Sequence, residues 1–201
     1  MLRRSIIHQL YRTIVGQHHY RTVYRSALEN PDKIAVIDSN GRYSYSQLLS
    51  ASVQLHEKLL SFTKTDEQSA KKRIAFLCNP DASFVTAQWT CWLSKAICIP
   101  LCKDHPLALL DYYVDDAKCS HLIVSPEYEP LLKPLADKYR IPLIILTHED
   151  INKGKKKEYL KMHHNANFDI FSAGSDDALI LYTSGTTGKP KVERSNLKYT
   201  I

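Results

Sequence analysis

The sequence predicts an α/β fold in which a mostly parallel β-sheet is flanked by helices. Apolar runs of strand length alternate with amphipathic segments of about 12 to 16 residues, a pattern that indicates βαβ units. The chain has 201 residues, 44% hydrophobic and 24% charged, a composition typical of soluble proteins with a buried core. The longest apolar runs fall well short of the roughly 18 residues that a membrane-spanning helix needs, so an integral membrane protein is not expected.

The first predicted elements are a β-hairpin and a helix. Residues 34–38 form an apolar strand, Asn40-Gly41 tolerates the positive φ of a tight turn, and residues 42–45 return as the second strand. Ser46 is predicted to cap the helix that follows. The apolar positions of that helix recur at helical spacing: Leu48, Leu49, Val53, Leu59 and Leu60.

Strands and helices then alternate through the middle of the chain. The predicted strands are residues 74–78, 97–101, 121–124 and 142–146. The predicted helices are residues 84–92, 106–114 and 127–139. Residues 149–168 contain a cluster of lysines and few apolar residues, which predicts an exposed loop. Acidic residues dilute this cluster and no aromatic stacking platform accompanies it, so a nucleic-acid-binding patch is disfavoured.

The net charge of +6 is concentrated at the N-terminus. Residues 1–28 contain five arginines and no acidic residue, which leaves 22 basic and 21 acidic residues in the remainder. Apolar side chains of the same segment form a stripe opposite the arginines if it is helical. This composition is typical of a mitochondrial transit peptide, and an ordinary surface helix is the alternative. We predict a transit peptide at residues 1–21 and a location in the mitochondrial matrix.

The cysteines and histidines do not predict a metal site. The five cysteines are odd in number, form no C-x-x-C pair and mostly lie in apolar runs, where cysteine usually acts as a small buried hydrophobe. The adjacent pairs His18-His19 and His163-His164 diverge on any regular element, so solvated loop histidines are expected.

The segment after the last predicted strand carries the strongest functional signal. Residues 178–182 are apolar, and Thr183-Ser184-Gly185-Thr186-Thr187-Gly188-Lys189-Pro190-Lys191 follows directly. Glycines let backbone N–H groups approach an anion, hydroxyls add donors, and lysines supply charge. We therefore predict a polyphosphate-binding loop in preference to a surface turn. The predicted phosphate cradle is Thr183, Ser184, Gly185, Thr186, Thr187 and Gly188, with Lys189 and Lys191 neutralising charge.

This loop differs from the P-loop of common nucleotide hydrolases. That motif, G-x-x-x-x-G-K-[ST], leads directly into a helix. Here two residues separate the glycines, and Pro190 stands where the Mg²⁺-binding hydroxyl would lie. An unrelated nucleotide hydrolase is the alternative, and it predicts a helix directly after Lys189.

Three segments resemble the adenylate-forming superfamily, which includes the acyl-CoA synthetases. Residues 182–191 resemble its phosphate-loop signature, residues 42–48 its early aromatic element, and residues 93–106 its second core motif. The sequence of residues 76–89 resembles that of a mitochondrial branch, the malonyl-CoA synthetases. The resemblance covers about residues 22–191, which it identifies as an incomplete N-terminal part of the adenylate-forming fold.

The resemblance implies a two-step ligation. A small carboxylic acid, malonate or a related one, would attack the α-phosphate of ATP accompanied by Mg²⁺, and coenzyme A would then displace AMP to form the thioester. The implied partners are thus the acid, ATP and CoA, with no nucleic acid. The catalytic residues of the superfamily are expected beyond Ile201, so this chain alone is expected to be inactive. The alternative is a non-catalytic relative that acts as a binding or interaction protein.

Two departures from the superfamily pattern stand out. Lys95 and Ala96 replace the glycines that usually precede the strand of the second motif. After Lys191 the chain lacks the expected glycine and histidine, so residues 192–201 are interpreted as a divergent tail.

Overall fold

The computed structural model describes residues 27–62, 72–153, 177–183 and 191–196. The predicted transit peptide at residues 1–21 lies outside this range. In chain order the elements are β1 (Ile34–Asp38), β2 (Gly41–Ser44), α1 (Tyr45–Ser61), β3 (Arg73–Leu77), α2 (Ala82–Leu93), β4 (Ile97–Pro100), α3 (Leu107–Asp116), β5 (His121–Val124), a 3₁₀ turn (Pro126–Tyr128), α4 (Glu129–Tyr139), β6 (Leu143–Ile145), α5 (His148–Lys153), β7 (Asp177–Thr183) and β8 (Lys191–Asn196).

The main sheet has six strands in the order β6-β5-β3-β4-β7-β8. The neighbouring strands from β6 to β7 pair in parallel, and β8 pairs antiparallel with β7. The predicted α/β fold with a mostly parallel sheet is therefore confirmed. The antiparallel β1–β2 hairpin forms a separate two-stranded sheet.

Alternate residues of the strands enter two different cores. Ile74 and Phe76 of β3 pack with α1, α2 and α5 on one face of the sheet. Ala75 and Leu77 of the same strand pack with α3 and α4 on the other face. This is the two-residue period of a strand buried on both sides, and it explains why the strands read as continuous apolar runs.

Ser44 caps helix α1, where Ser46 was expected. The Ser44 hydroxyl accepts a hydrogen bond from the Gln47 backbone N–H at 3.3 Å, and Gln47 Oε1 accepts one from the Ser44 backbone N–H at 2.7 Å. Glutamine at the third helical position completes this capping box only with Ser44, which is the physical reason for the earlier start. Ser46 lies in the first turn, with its hydroxyl 3.0 Å from that of Ser44.

Non-glycine residues in the left-handed conformation follow three helices. Lys95, Lys118 and Arg140 have φ values of 53°, 51° and 55° at the ends of α2, α3 and α4. A side chain in this conformation costs about 1 kcal/mol relative to glycine. Lys95 replaces a superfamily glycine, so this departure weakens a helix end and touches no predicted phosphate-binding residue.

Residues 149–153 are helical, although a loop was predicted from their composition. Thr147 and Asp150 cap α5: the Asp150 carboxylate accepts from the Thr147 N–H at 3.0 Å, and Thr147 Oγ1 accepts from the Asp150 N–H at 3.1 Å. Ile151 is fully buried. One local cap and one core side chain outweigh the polar composition of this short segment. The rest of the predicted loop, residues 154–168, lies outside the described residues.

The cysteines are free thiols and most of them serve as core packing groups, as predicted. Cys91, Cys98 and Cys119 are buried, and Cys102 is exposed. Burial raises the pKa of both Cys98 and Cys119 to about 12, so these thiols stay protonated. Among the described residues, no group of three His, Cys, Asp or Glu side chains could hold a metal ion. None of the helices described is both long and apolar enough to cross a bilayer.

Candidate phosphate-binding site

The predicted phosphate-binding loop leaves the sheet at the carboxyl edge of its parallel strands. β7 runs parallel to β4 and ends at Thr183, so its final residues point to the same edge as the ends of β3, β4 and β5. In open α/β sheets, ligands bind in crevices at this edge. The fold therefore places the motif where a nucleotide site is expected.

The two ends of the loop lie side by side. β7 and β8 form an antiparallel hairpin in which Thr183 pairs with Lys191 and Tyr182 with Val192. Thr183 is exposed, in keeping with a residue at the rim of a binding site. The intervening predicted cradle residues Ser184, Gly185, Thr186, Thr187, Gly188 and Lys189 lie outside the described residues, so their contacts with phosphate remain a prediction.

The strand β8 contradicts the P-loop alternative. An unrelated nucleotide hydrolase required a helix directly after Lys189, whereas residues Lys191–Asn196 form a strand paired with β7. A strand–loop–strand hairpin cannot present the helix N-terminus on which a P-loop depends. This strand also includes the first residues of the segment interpreted as a divergent tail.

The segment that follows β4 adds polar groups to the same edge. Lys103 Nζ lies 2.8 Å from Asp104 Oδ1, and both side chains are mostly exposed. An exposed pair of this kind contributes little stability and carries no net charge. The role of Lys189 and Lys191 in neutralising phosphate charge stays a prediction, because Lys189 and the Lys191 side chain lie outside the description.

Sequence analysis missed the contacts that hold Tyr182, the residue directly before the loop. Its hydroxyl donates a hydrogen bond to Asp116 Oδ2 at the end of α3, with an O···O distance of 2.7 Å. Its ring stacks on Tyr113, with centroids 4.2 Å apart and an interplanar angle of 24°. Burial, followed by the hydrogen bond to Asp116, raises the pKa of Tyr182 well above its usual range, so the hydroxyl remains a donor at physiological pH.

The early aromatic element, residues 42–48, contributes side chains to the core and caps a helix. Tyr43 and Leu48 are almost fully buried, and Ser44 caps α1. These roles account for the apolar and capping groups of the element; the Tyr43 hydroxyl is buried and has no hydrogen-bond partner among the described residues. Its similarity to the superfamily therefore reflects the packing of the fold.

Comparison with known families identifies the family of the chain. A sequence model of the family described as AMP-binding enzyme matches residues 23–192. The chain belongs to this family. Human mitochondrial malonate–CoA ligase ACSF3 is 37% identical to it over 172 residues, covering 84% of this chain and 29% of the human protein. Malonate–CoA ligase of Arabidopsis thaliana is 28% identical over 189 residues, covering 86% and 30%.

Two solved structures share the same fold. ATP-bound MatB from Rhodopseudomonas palustris superposes with a TM-score of 0.61 at 21% identity, over 82% of this chain and 32% of MatB. The inhibitor-bound N-terminal domain of FACL13 from Mycobacterium tuberculosis gives a TM-score of 0.65 at 18% identity, over 87% and 43%. This AMP-binding chain has the N-terminal part of the adenylate-forming fold and spans less than a third of the length of its sequence relatives.

Proposed function

We propose that this chain is the N-terminal portion of an ATP-dependent acid–thiol ligase that acts on malonate or a related small carboxylic acid. The observation that carries the proposal is the β7–β8 hairpin at the carboxyl edge of the sheet, with Thr183 and Lys191 paired at the two ends of the hydroxyl- and glycine-rich motif. Membership of the AMP-binding enzyme family supports ATP as a substrate. The names of the human and Arabidopsis relatives support malonate and CoA.

The loop would act on the phosphates that leave in the first step. A carboxylate oxygen attacks the α-phosphorus of ATP, the bond to the β-phosphate breaks, and pyrophosphate departs, accompanied by Mg²⁺. The amides and hydroxyls from Thr183 to Gly188 would stabilise the charge on the departing phosphates, while Lys189 and Lys191 neutralise it. The attacking acid is already ionised at pH 7, so this step needs no general base. The CoA sulfur then attacks the acyl carbon and displaces AMP.

Residues 1–201 by themselves are expected to bind the triphosphate without turnover, because they span less than a third of the relatives. The Lys189→Ala/Lys191→Ala double variant should weaken ATP binding about 10-fold or more, since each lysine contributes a charge-assisted interaction. Isothermal titration of Mg·ATP into the purified chain measures this effect.

A matched control variant distinguishes the specific effect of Lys189 and Lys191 on ATP binding from the general effect of removing two positive charges. Lys133 and Lys153 form ion pairs on helix surfaces with Asp137 and Glu149. The Lys133→Ala/Lys153→Ala double variant removes the same charge and should keep wild-type affinity. Equal ATP affinity for the wild type and the Lys189/Lys191 variant would refute the proposed role of the loop. Pyrophosphate release by the chain in the presence of malonate and CoA would refute the expected lack of turnover.

We further propose a location in the mitochondrial matrix. The arginine-rich, acid-free composition of residues 1–21 supports it, as do the names of the mitochondrial relatives from human and mouse. A fluorescent protein carrying residues 1–21 should enter isolated mitochondria and be protected from added protease. A version with Arg3, Arg4 and Arg12 changed to glutamine should stay outside, and import of that version would contradict the proposal.

A further inference from the structure

We infer that Tyr182 and Asp116 form a positioning pair that holds the paired strands β7 and β8 in a fixed place on helix α3. The two residues would not touch the substrate. Their hydrogen bond would set the position of Thr183 and Lys191, the two ends of the loop. The consequence for phosphate binding rests on the proposed function.

The amino end and the carboxyl end of β7 are attached to the domain in different ways. Near the amino end, Leu179 is paired with Cys98 of β4, and Trp92 Nε1 of α2 donates to the Ala178 carbonyl at 3.2 Å. The pairing between β4 and β7 among the described residues consists of that single register pair. Beyond it, Leu181 is 39% exposed. Ile180, which directly follows Leu179, is 4% exposed and belongs to the core formed with α3 and α4, so β7 stays packed on the domain up to Tyr182.

Tyr182 links the carboxyl end of β7 to helix α3. Its hydroxyl reaches Asp116 at 2.7 Å and its ring stacks on Tyr113, which is almost fully buried and belongs to the core between α3 and the sheet. Tyr112 also contacts the Tyr182 ring edge-on at 6.3 Å between centroids. A flat aromatic side chain with one terminal hydrogen bond has few alternative rotamers, so it transmits the position of α3 to the strand.

A cavity lies beside the hydrogen bond between Tyr182 and Asp116. It has a volume of about 600 Å³ and is open to solvent on one side; its described lining is Arg73, Asp116, Ala117, Ile180, Tyr182 and Val192. Close packing normally fixes a side chain from all directions. Asp116 and Tyr182 both line this cavity, so the orientation of the Tyr182 ring depends on the Asp116 hydrogen bond together with the Tyr113 and Tyr112 contacts.

The chain contains a matched control for this pair. Tyr139 of α4 donates its hydroxyl to Asp111 Oδ1 of α3 at 2.9 Å. It is the same tyrosine–aspartate interaction on the same helix, but it joins α3 to α4 instead of to β7. Tyr139→Phe therefore removes a tyrosine–aspartate hydrogen bond that has no connection to the hairpin. Asp111 keeps a partner in this variant, because it also accepts from Lys138 Nζ at 2.7 Å.

The experiment compares Tyr182→Phe, Asp116→Ala, Asp116→Asn and Tyr139→Phe in the full chain. Three quantities are measured: Mg·ATP affinity by titration, hydrogen–deuterium exchange of amides in residues 177–196, and the midpoint of urea unfolding. Tyr182→Phe and Asp116→Ala should accelerate exchange in the hairpin about 10-fold and weaken ATP binding about 3- to 10-fold, the scale expected for losing one solvent-accessible hydrogen bond. The rest of the chain should exchange at its normal rate.

Two further variants distinguish a positioning role of the Tyr182–Asp116 pair from a general contribution to the stability of the fold. In Asp116→Asn the side-chain amide oxygen can still accept from the Tyr182 hydroxyl, so this variant should keep near-wild-type exchange and affinity. Tyr139→Phe should lower the unfolding midpoint by no more than Tyr182→Phe does, because Asp111 keeps its Lys138 partner, and it should leave hairpin exchange unaltered. If exchange accelerates throughout the chain, or equally in Tyr139→Phe, the positioning role is wrong.

The two proposals can fail independently. If the wild-type chain does not bind ATP, the proposed phosphate-binding function is wrong. Local acceleration of hairpin exchange in Tyr182→Phe would still support the positioning pair, and its absence would overturn that pair. If the wild type binds ATP and Tyr182→Phe binds it equally well, the function stands and the positioning role is overturned.

Discussion

Replacing Phe76 with alanine is expected to lower the free energy of unfolding by about 3 to 5 kcal/mol. Phe76 lies in β3, which is flanked by β4 and β5, and its side chain is completely buried. Its ring packs edge-to-face against Phe84 of α2, with centroids 5.1 Å apart and an interplanar angle of 74°. Removal of the ring forfeits this contact and leaves a cavity between the sheet and α2 that the surrounding elements cannot close.

Urea unfolding monitored by far-ultraviolet circular dichroism measures this effect. Phe62→Ala is the matched control, since Phe62 follows α1 and is 49% exposed. The same atoms are deleted, but the control should lose at most about 1 kcal/mol because its ring is already in contact with water. A loss for Phe76→Ala no larger than that for Phe62→Ala would show that the core does not centre on β3 as described.

The strands and helices were largely predictable because their signals are local. A buried strand between two helical layers reads as an apolar run, and β3, β4, β5 and β6 were each located within one residue at either end. The strand order was not predicted from the residues, because pairing between β3 and β5 is determined by contacts across more than 40 residues of chain. The α5 helix was missed for a related reason: its burial depends on Ile151 meeting distant helices.

In the candidate site, too, the features with a local sequence signal were predictable and those that depend on long-range contacts were not. The loop motif could be recognised because glycines, hydroxyls and lysines that bind phosphate are consecutive in sequence. The Tyr182–Asp116 pair could not, because 66 residues separate its members and Asp116 lies in no distinctive local pattern. The strand β8 was also missed, since residues 191–196 are mostly polar and form a strand by pairing with β7 at the edge of the sheet.

Replacing Asp38 with alanine should cost about 2 to 3 kcal/mol, although Asp38 is only half-buried. One carboxylate oxygen accepts hydrogen bonds from the backbone N–H groups of Asn40 at 2.7 Å and Gly41 at 3.0 Å, which closes the β1–β2 turn. The other oxygen accepts from the Ala82 N–H at 3.0 Å, at the first turn of α2. A single side chain thus connects the hairpin to a helix 44 residues away. Alanine would leave all three donors without this acceptor.

The asparagine variant separates the two halves of that role. In Asp38→Asn the amide oxygen can still accept from the Asn40 and Gly41 N–H groups, as asparagine does in many turns. The amide nitrogen cannot accept from the Ala82 N–H and places a donor against it, so about 1 kcal/mol of the loss should remain. Asp104→Ala, at a carboxylate that is 75% exposed, should change stability by less than about 0.5 kcal/mol in the same urea titration. If Asp38→Asn is as unstable as Asp38→Ala, the helix connection outweighs the turn; if both match Asp104→Ala, Asp38 does not join the hairpin to α2 in solution.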